Sequence, residues 1–267
     1  MRKLLLVFLL LPFALPAQEL FVYTEPASNM ASKSIGFRSK QLLQSKTAGG
    51  QAFFWQPELM WGISKKSMLH ADIYLSDRMV KFRQEGWSLY YKYRFFSADD
   101  VHSHFRMAAF ARVSANRYHV MDSAIDLEGM NSGYQGGLLA TMLKNKLALS
   151  AGASYIKAMD NTSEHPFKTT GYGNEAMSFT LSAGRLMLPV EYKDYDQVNW
   201  NLMVELLSQV NLLSKKTYVD LAPSLQWIIK SRMRVDIGYR FPLVNEIQRM
   251  ADRGALLRLE YNIFNAY

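Results

Sequence analysis

The sequence of 267 residues contains no cysteine. Disulfides, thiolate nucleophiles and thiolate metal sites are therefore excluded, and so is the lipid-modified cysteine of a lipoprotein signal. Beyond the N-terminal stretch there is no run of about 18 apolar residues, so the sequence predicts no membrane-spanning helix. A compact basic run with interleaved aromatic residues is also missing, and we expect no nucleic-acid partner.

The N-terminus carries the features of a secretory signal. Arg2 and Lys3 precede an apolar run from Leu4 to Leu15, which is too short to span a bilayer and typical of a signal-peptide core. Cleavage after Ala17 would leave a mature chain with 29 basic and 23 acidic residues, a net charge of +6 against +8 for the whole chain. The sequence thus predicts an exported protein.

The last stretch, 254–267, alternates between apolar and polar residues. One face carries Leu257, Leu259, Tyr261, Ile263, Asn265 and Tyr267, and the other carries Arg258, Glu260 and Asn262. A period of two with the charges on one face predicts a strand with one apolar and one wet side. A final strand of this kind, with an aromatic last residue, resembles the closing strand of bacterial outer-membrane β-barrels. The resemblance implies that the barrel-assembly machinery is a partner through this strand.

Similar alternation recurs along the chain. The other runs are 33–44, 51–63, 68–77, 87–96, 104–117, 133–143, 147–158, 175–188, 197–212, 218–229 and 233–243. The pattern is weakest in 133–143 and 147–158, where glycines favour strands over helices. The total is about twelve strands, an even number, as in single-chain bacterial barrels.

We therefore predict an all-β chain that forms a single transmembrane antiparallel up-and-down β-barrel of about twelve strands. The expected organisation is a signal peptide at 1–17, a periplasmic N-terminal segment at 18–32 and an outer-membrane barrel at 33–267. The connections support this order, because long and tight ones largely alternate, as outer-membrane barrels require. The predicted long connections are 79–86, 119–132, 161–174 and 245–253, and the tight ones include 144–146, 190–196 and 230–232.

The charges of the predicted strands lie on one face only. A water-filled lumen accepts them, whereas a lipid face would lose about 2–4 kcal/mol for each Arg or Lys at mid-depth. A soluble barrel would reverse the two faces, and the signal peptide, aromatic C-terminus and loop alternation favour the membrane version. Arg185 is an exception on an apolar face, explained by a position at the membrane interface or by a bulge. The expected lumen-lining residues are Glu58, His70, Asp72, Lys92, Arg94, Arg106, Arg112, Glu205, Asp220, Arg234, Asp236, Arg240, Arg258 and Glu260.

The chain also resembles a family. The segment Thr24-Glu-Pro-Ala-Ser-Asn-Met-Ala-Ser-Lys-Ser-Ile-Gly36 and the stretch Leu257-Arg-Leu-Glu-Tyr-Asn-Ile-Phe264 are similar to those of small outer-membrane barrels of Bacteroidetes-type bacteria. These barrels are loosely grouped with the transporter-like barrels of the MetA-pathway of phenol degradation family. The resemblance implies an outer-membrane location, contact with lipid and lipopolysaccharide, and solute passage. It supplies no catalytic residues.

The sequence does not predict an enzyme, a cofactor or a metal site. His70 and Asp72 share one strand face and could form a general base or a proton-sensitive gate, but no nucleophile motif surrounds them, and a solvated lumen pair is the alternative. His102 and His104 are two ligands without a third.

The arginines of the predicted lumen leave two functions open. They could attract an anion, making the protein a channel or transporter for a small solute. They could instead pair with the lumen carboxylates and close the barrel, leaving a structural role or a docking role through loops 119–132 and 161–174. A barrel hydrolase is a third, weaker reading.

Overall fold

The computed structural model describes residues 21–78, 81–100, 103–117, 124–161, 173–189 and 197–267. It contains twelve strands, as the alternation predicted. They are β1 (Ser34–Lys46), β2 (Gln51–Gly62), β3 (Ser67–Ser76), β4 (Arg83–Asp99), β5 (Ser103–Asn116), β6 (Ser132–Lys144), β7 (Leu147–Met159), β8 (Glu175–Leu188), β9 (Asn199–Asn211), β10 (Thr217–Ile229), β11 (Met233–Asn245) and β12 (Ala251–Ile263). Within the described ranges there is no helix that could cross a membrane.

Each strand pairs antiparallel with its neighbours in the chain, and β1 pairs with β12 to close the barrel. The closing seam is long and regular, running from Ile35 opposite Ile263 to Ser45 opposite Arg253. The two least regular runs of the sequence form β6 and β7, which pair along their full length without a bulge. The predicted all-β, up-and-down barrel is confirmed.

The two faces of the strands follow the predicted pattern. In β12, Leu257, Leu259 and Tyr261 are 40–47% exposed on the outer face. Arg258 and Glu260, which lie between them, are 3% and 6% exposed and face the interior. Because apolar side chains form the outside and charged ones the inside, the structure has the polarity of a membrane barrel, not that of a soluble one.

The connections fall into two sets. We call the end of the barrel that holds the start of β1 the terminal end, and the opposite one the loop end. The longest connections at the loop end have fifteen residues each, at 117–131 and 160–174, where long loops were predicted. The predicted long loop at 245–253 is shorter, because β11 and β12 extend to leave only 246–250 between them. At the terminal end, the predicted tight connection at 190–196 is a ten-residue segment, 189–198, mostly outside the described residues.

Two segments of the described chain lie inside the barrel. Residues 21–33, which we call the plug, enter from the terminal end, and residues 124–131, the inner loop, fold in from the loop end. Three small apolar clusters form beneath these segments, one of them around Phe21 and Val22. The sequence predicted a periplasmic segment at 18–32; the described part of this segment, from Phe21 onward, lies in the lumen.

The chain end differs from the predicted strand. β12 stops at Ile263, and Asn265 adopts a positive φ of 52°. The amide of Ala266 donates to the Lys33 carbonyl at 2.8 Å, and the Tyr267 hydroxyl donates to the Gly62 carbonyl at 3.1 Å. The last residues therefore turn across the terminal end and fasten the chain end beside the base of the plug.

Arg185, the charged residue predicted on an apolar face, lies at one end of the barrel. Arg185 is exposed and pairs with Leu147, the first residue of β7, so it lies at the terminal rim of the barrel. The β8–β9 register shifts just beyond it, between Leu186 and Leu188. The rim position agrees with the first of the two predicted explanations. The register shift follows Arg185 and leaves it in phase with Met177 to Ala183, so a bulge does not explain the face on which it lies. At the same rim, Trp200 and Trp227 pack edge to face with their ring centroids 5.1 Å apart.

Candidate functional site

The plug is held mainly through its backbone. The carboxylate of Glu205, fully buried on β9, accepts hydrogen bonds from the amides of Val22, Tyr23 and Thr24 at 2.8, 2.8 and 2.9 Å. It also accepts one from the Thr24 hydroxyl at 2.7 Å. Bonds from several donors to one carboxylate offset the cost of burying its charge. Glu205 therefore acts as an anchor for three consecutive peptide groups.

Cationic side chains hold the carbonyl groups of the same segment. Arg258 donates to the carbonyls of Phe21 and Val22, both at 2.7 Å. Lys92 donates to the carbonyls of Pro26 and Ser28 at 2.6 and 2.8 Å. Both cations are buried in the wall. The barrel thus recognises the extended main chain of the plug as much as its side chains.

An ion-pair network joins the plug to the wall. Arg38 on β1 contacts three carboxylates, those of Glu25 at 2.7 Å, Glu58 at 3.1 Å and Glu260 at 2.8 Å. Burial raises the pKa of Glu25, but the charges of Arg38 and Lys92 outweigh burial and hold this pKa well below its ordinary value. Glu25 is therefore an anion that ties the plug to two strands.

The inner loop is held by a second set of charges. Glu128 lies 2.6 Å from the Lys40 ammonium and 2.5 Å from the Arg112 guanidinium. Burial raises the pKa of Glu128, yet these two cations dominate and lower it below its ordinary value. The amide and carbonyl of Ile125 both bond to the Gln209 side chain, at 2.9 and 2.8 Å. The loop is thereby fixed across the lumen between opposite walls.

Two cavities lie in series between these segments. The vestibule, of about 250 Å³, is bounded by the inner loop and by residues 249–254 at the loop end. The chamber, of about 170 Å³, lies against residues 22–25 of the plug. Tyr23, Lys40, Arg112 and Glu128 line both cavities. A path from the loop end thus leads past the Glu128 ion pairs and stops at the plug.

The expected lumen residues all lie on the inner face or at its rim, but few line open space. Glu58, His70, Arg112 and Arg258 line the chamber, and Arg112 and Arg240 line the vestibule. Arg94 donates to the Lys65 carbonyl at the terminal rim. The remaining residues are buried in the wall or against the plug: Asp72, Lys92, Arg106, Glu205, Asp220, Arg234, Asp236 and Glu260.

His70 and Asp72 do not form the pair that their spacing suggested. His70 Nδ1 contacts the carboxylate of Glu58, while Asp72 accepts hydrogen bonds from Gln56 at 2.7 Å and Ser88 at 2.9 Å. Adjacent strands bring Glu58 to His70, which one-strand periodicity cannot show. Of the other histidine pair, His102 lies outside the described residues.

Among the residues that the structure describes, one group could offer ligands to a metal. Ligand atoms of Glu25, Glu58 and His70 lie within 4.8 Å of one another. However, Arg38 donates to both carboxylates, so its guanidinium already supplies the positive charge that a metal ion would bring. This donor set fits an ion-pair network better than a metal centre.

Several important residues were absent from the sequence prediction. Arg38 and Lys40 alternate within the first predicted strand, so the same period of two could have identified them as inward-facing. Glu25, Glu128 and Arg249 belong to segments without a repeating pattern. Their entry into the lumen depends on how these segments fold, and no local signal in the sequence shows it.

The similarity of this chain to known proteins is one of fold. No protein-family model and no curated protein matches this chain. Among solved structures, it is similar to an outer-membrane channel from Pseudomonas putida F1, at 9% identity and a TM-score of 0.57, over 91% of this chain and 100% of that one. It is also similar to the translocator domain of the autotransporter NalP from Neisseria meningitidis, at 10% identity and a TM-score of 0.44, over 86% and 87% of the chains. The P. putida match indicates that the two chains share a closed β-barrel fold.

Proposed function

We propose that this protein is an outer-membrane channel or transporter for a small solute, closed in the present conformation by its plug. The observation that carries the proposal is the path of two cavities in series, which leads inward from the loop end and stops at the plug. The barrel wall is complete without the plug, because β1 and β12 pair directly. Removal of the plug would therefore extend the path without breaking the sheet.

The location belongs to the same proposal. The signal peptide supports export, and the apolar outer face supports contact with lipid and lipopolysaccharide. We further propose that β12 is the strand that the barrel-assembly machinery reads. Kinship with Bacteroidetes-type barrels and the MetA-pathway group is supported by the segment Thr24–Gly36 and the C-terminal stretch. No step of the proposed function involves catalysis or a cofactor.

The charges of the cavities support a charged solute. Lys40 and Arg112 share the single carboxylate of Glu128, and Arg240 and Arg249 share that of Asp220. Each group of three therefore carries a net positive charge, which favours anions at close range.

Planar-bilayer recording of the purified full-length protein tests the channel. We expect rare or small openings for the wild type, and steady conductance when residues 21–32 are deleted behind the intact signal peptide. Glu175→Gln is the matched control, because Glu175 pairs with Lys157 on the exposed part of β8, away from the plug. Detergent-resistant folding of each variant is checked by heat-modifiable migration in gels.

A closed barrel is the second candidate, favoured by the ion pairs that fill the lumen in this conformation. It would act structurally or dock a partner through loops 119–132 and 161–174. The absence of conductance in both the wild type and the folded plug-deletion variant would reject the channel and leave this candidate.

A further inference from the structure

Within the described residues, one buried arginine of the vestibule forms no ion pair with a carboxylate, whereas the other cations around it do. Arg78, in the connection between β3 and β4, is 5% exposed and lines the cavity. Its Nε donates to the Gln44 side chain at 3.2 Å, and its guanidinium carbon lies 4.4 Å from the centre of the Phe54 ring. Over the described residues, its Nη1 has no hydrogen-bond partner. Gln44 and Phe54 thus fix the position of a guanidinium whose Nη1 group still lacks a hydrogen-bond acceptor among the residues described.

The other cations around the vestibule have carboxylate partners. Arg249 makes two bonds to Asp220, at 2.6 and 2.9 Å, and Arg240 adds a third. Arg253 pairs with Asp252 at the mouth. No ion pair joins Arg78 to an acid within the described part of the chain. Burial of an unpaired guanidinium is costly, and an incoming anion would offset that cost.

Asp126 of the inner loop also lines the vestibule and interacts electrostatically with Arg78, but its carboxylate is hydrogen-bonded elsewhere. This carboxylate accepts a hydrogen bond from the Glu128 amide at 2.7 Å, and this bond shapes the turn of the inner loop. The turn brings Gly129, with a φ of 96°, against the wall, where an added Cβ would lie 3.0 Å from Phe54 and 3.4 Å from Arg78 Nη1. Gly129 is therefore required for the loop to approach the arginine so closely.

Apolar side chains also line part of the vestibule. Its lining includes Leu42, Phe54, Ile125, Leu127, Ile156 and Leu207. Inorganic anions would leave this surface unused, because they have no apolar part to bury. An occupant with one anionic group and a compact hydrocarbon body would satisfy both the guanidinium and the apolar wall.

We propose that the vestibule is a binding site for a small organic carboxylate, whose anionic group is held by Arg78 and whose apolar body lies against the partly buried Leu42 and Leu207. The planar fork of the guanidinium matches the two oxygens of a carboxylate. The role of this site in solute passage rests on the channel function proposed above. Binding itself is measured separately.

The probe is cyclohexanecarboxylate, with cyclohexanecarboxamide as its neutral counterpart and inorganic phosphate as an anion without an apolar part. Isothermal titration calorimetry on the full-length protein in detergent should show binding of the carboxylate, with the other two at least about tenfold weaker. Equal binding of the carboxamide would overturn the role of the charge. Equal binding of phosphate would overturn the role of the apolar wall.

Substitutions of Arg78 test whether this residue holds the anionic group of the carboxylate. Arg78→Met should weaken binding of the carboxylate by about tenfold or more, since a hydrogen bond to a charged group is lost. Arg78→Lys should have an intermediate effect, because the charge remains and the fork is lost. Arg185→Met is the matched control, because Arg185 is exposed at the opposite, terminal rim, and it should leave binding unchanged. Unchanged binding in both Arg78 variants, or equal weakening by Arg185→Met, would reject the site.

Conductance separates this proposal from the channel function. Should the plug-deletion variant conduct while no carboxylate binds, the site is rejected and the channel stands. Should the carboxylate bind with the expected dependence on Arg78 while no variant conducts, the site stands and its role in passage is rejected.

Discussion

The guanidinium of Arg38 lies 2.7 Å from the carboxylate of Glu25 and joins the plug to the barrel wall. The same guanidinium also contacts Glu58 and Glu260, so its charge is shared between one acid of the plug and two acids of the sheet. Glu25 can therefore be removed without stripping the wall acids of their cation. Arg38 cannot be removed without leaving two buried acids and the partly buried Glu25 facing one another.

The first prediction is that substitutions of Glu25 and of Arg38 have different effects. Glu25→Gln should raise the open fraction in bilayer recordings while leaving the unfolding of the barrel in urea nearly unchanged. Arg38→Met should destabilise the barrel itself by about 3–5 kcal/mol, the cost of breaking buried ion pairs from one side. Equal destabilisation by both variants would show that the plug is part of the folded core and not a separable gate.

A second prediction concerns pH. Because the pKa of Glu25 is held well below its ordinary value of 4.5, its contribution to plug binding is fully present above about pH 4.5 and is lost as the pH falls toward the lowered pKa. Conductance should therefore stay constant from about pH 8 to 5 and rise only in stronger acid. Glu25→Gln should remove the part of this rise that comes from the plug. A rise centred near neutral pH would point to another group.

A third prediction follows from the anchor at Glu205. Hydrogen–deuterium exchange in the wild type should show protected amides at Val22, Tyr23 and Thr24, which all donate to this carboxylate. Glu205→Ala should lower their protection by about tenfold or more. The amide of Ala27, which donates to Thr141 instead, serves as an internal control. Uniform loss of protection across the barrel would mean general unfolding and not release of the plug.

Main-chain recognition leads to a fourth prediction. A synthetic peptide of residues 18–32 should restore closure when added to the plug-deletion variant, because the contacts of Glu205, Arg258 and Lys92 with the peptide backbone need no covalent link. Block of the conductance should depend on the peptide concentration. A peptide in which Val22, Tyr23 and Thr24 carry N-methyl groups lacks the donors for Glu205 and is the matched control. Equal block by both peptides would contradict the anchor.

The fifth prediction tests which face meets lipid. Leu257→Arg, at the middle of β12, should lower the free energy of unfolding in bilayers by about 2–4 kcal/mol, whereas Leu243→Arg, near the loop-end rim of β11, should lower it by about 0–1 kcal/mol. Both leucines are exposed on the outer face. Urea titration into liposomes measures the difference. Similar costs at the two depths would argue against a lipid-facing outer surface.

Alternation along the chain was sufficient to predict the barrel. A period of two identifies strands and faces from local sequence alone, because each residue of a strand points opposite to the next. Even the weak runs at β6 and β7 were correctly assigned. Strand ends were less exact: β4 extends to Arg83–Asp99 beyond the predicted 87–96, and β12 stops at Ile263. Charges or small polar residues at a strand end do not show where pairing stops.

The contents of the lumen were decided only by the tertiary structure. The inward direction of Glu205, Arg258 and Lys92 follows from local periodicity, but their shared occupant, residues 21–28, has no periodic pattern of its own. The plug and the inner loop enter because the closed wall presents buried charges that need partners, and the main chain and Glu128 provide them. Strand identity is a local property of alternating side chains, whereas filling of the interior depends on the closed sheet, which brings charges from distant strands around one space.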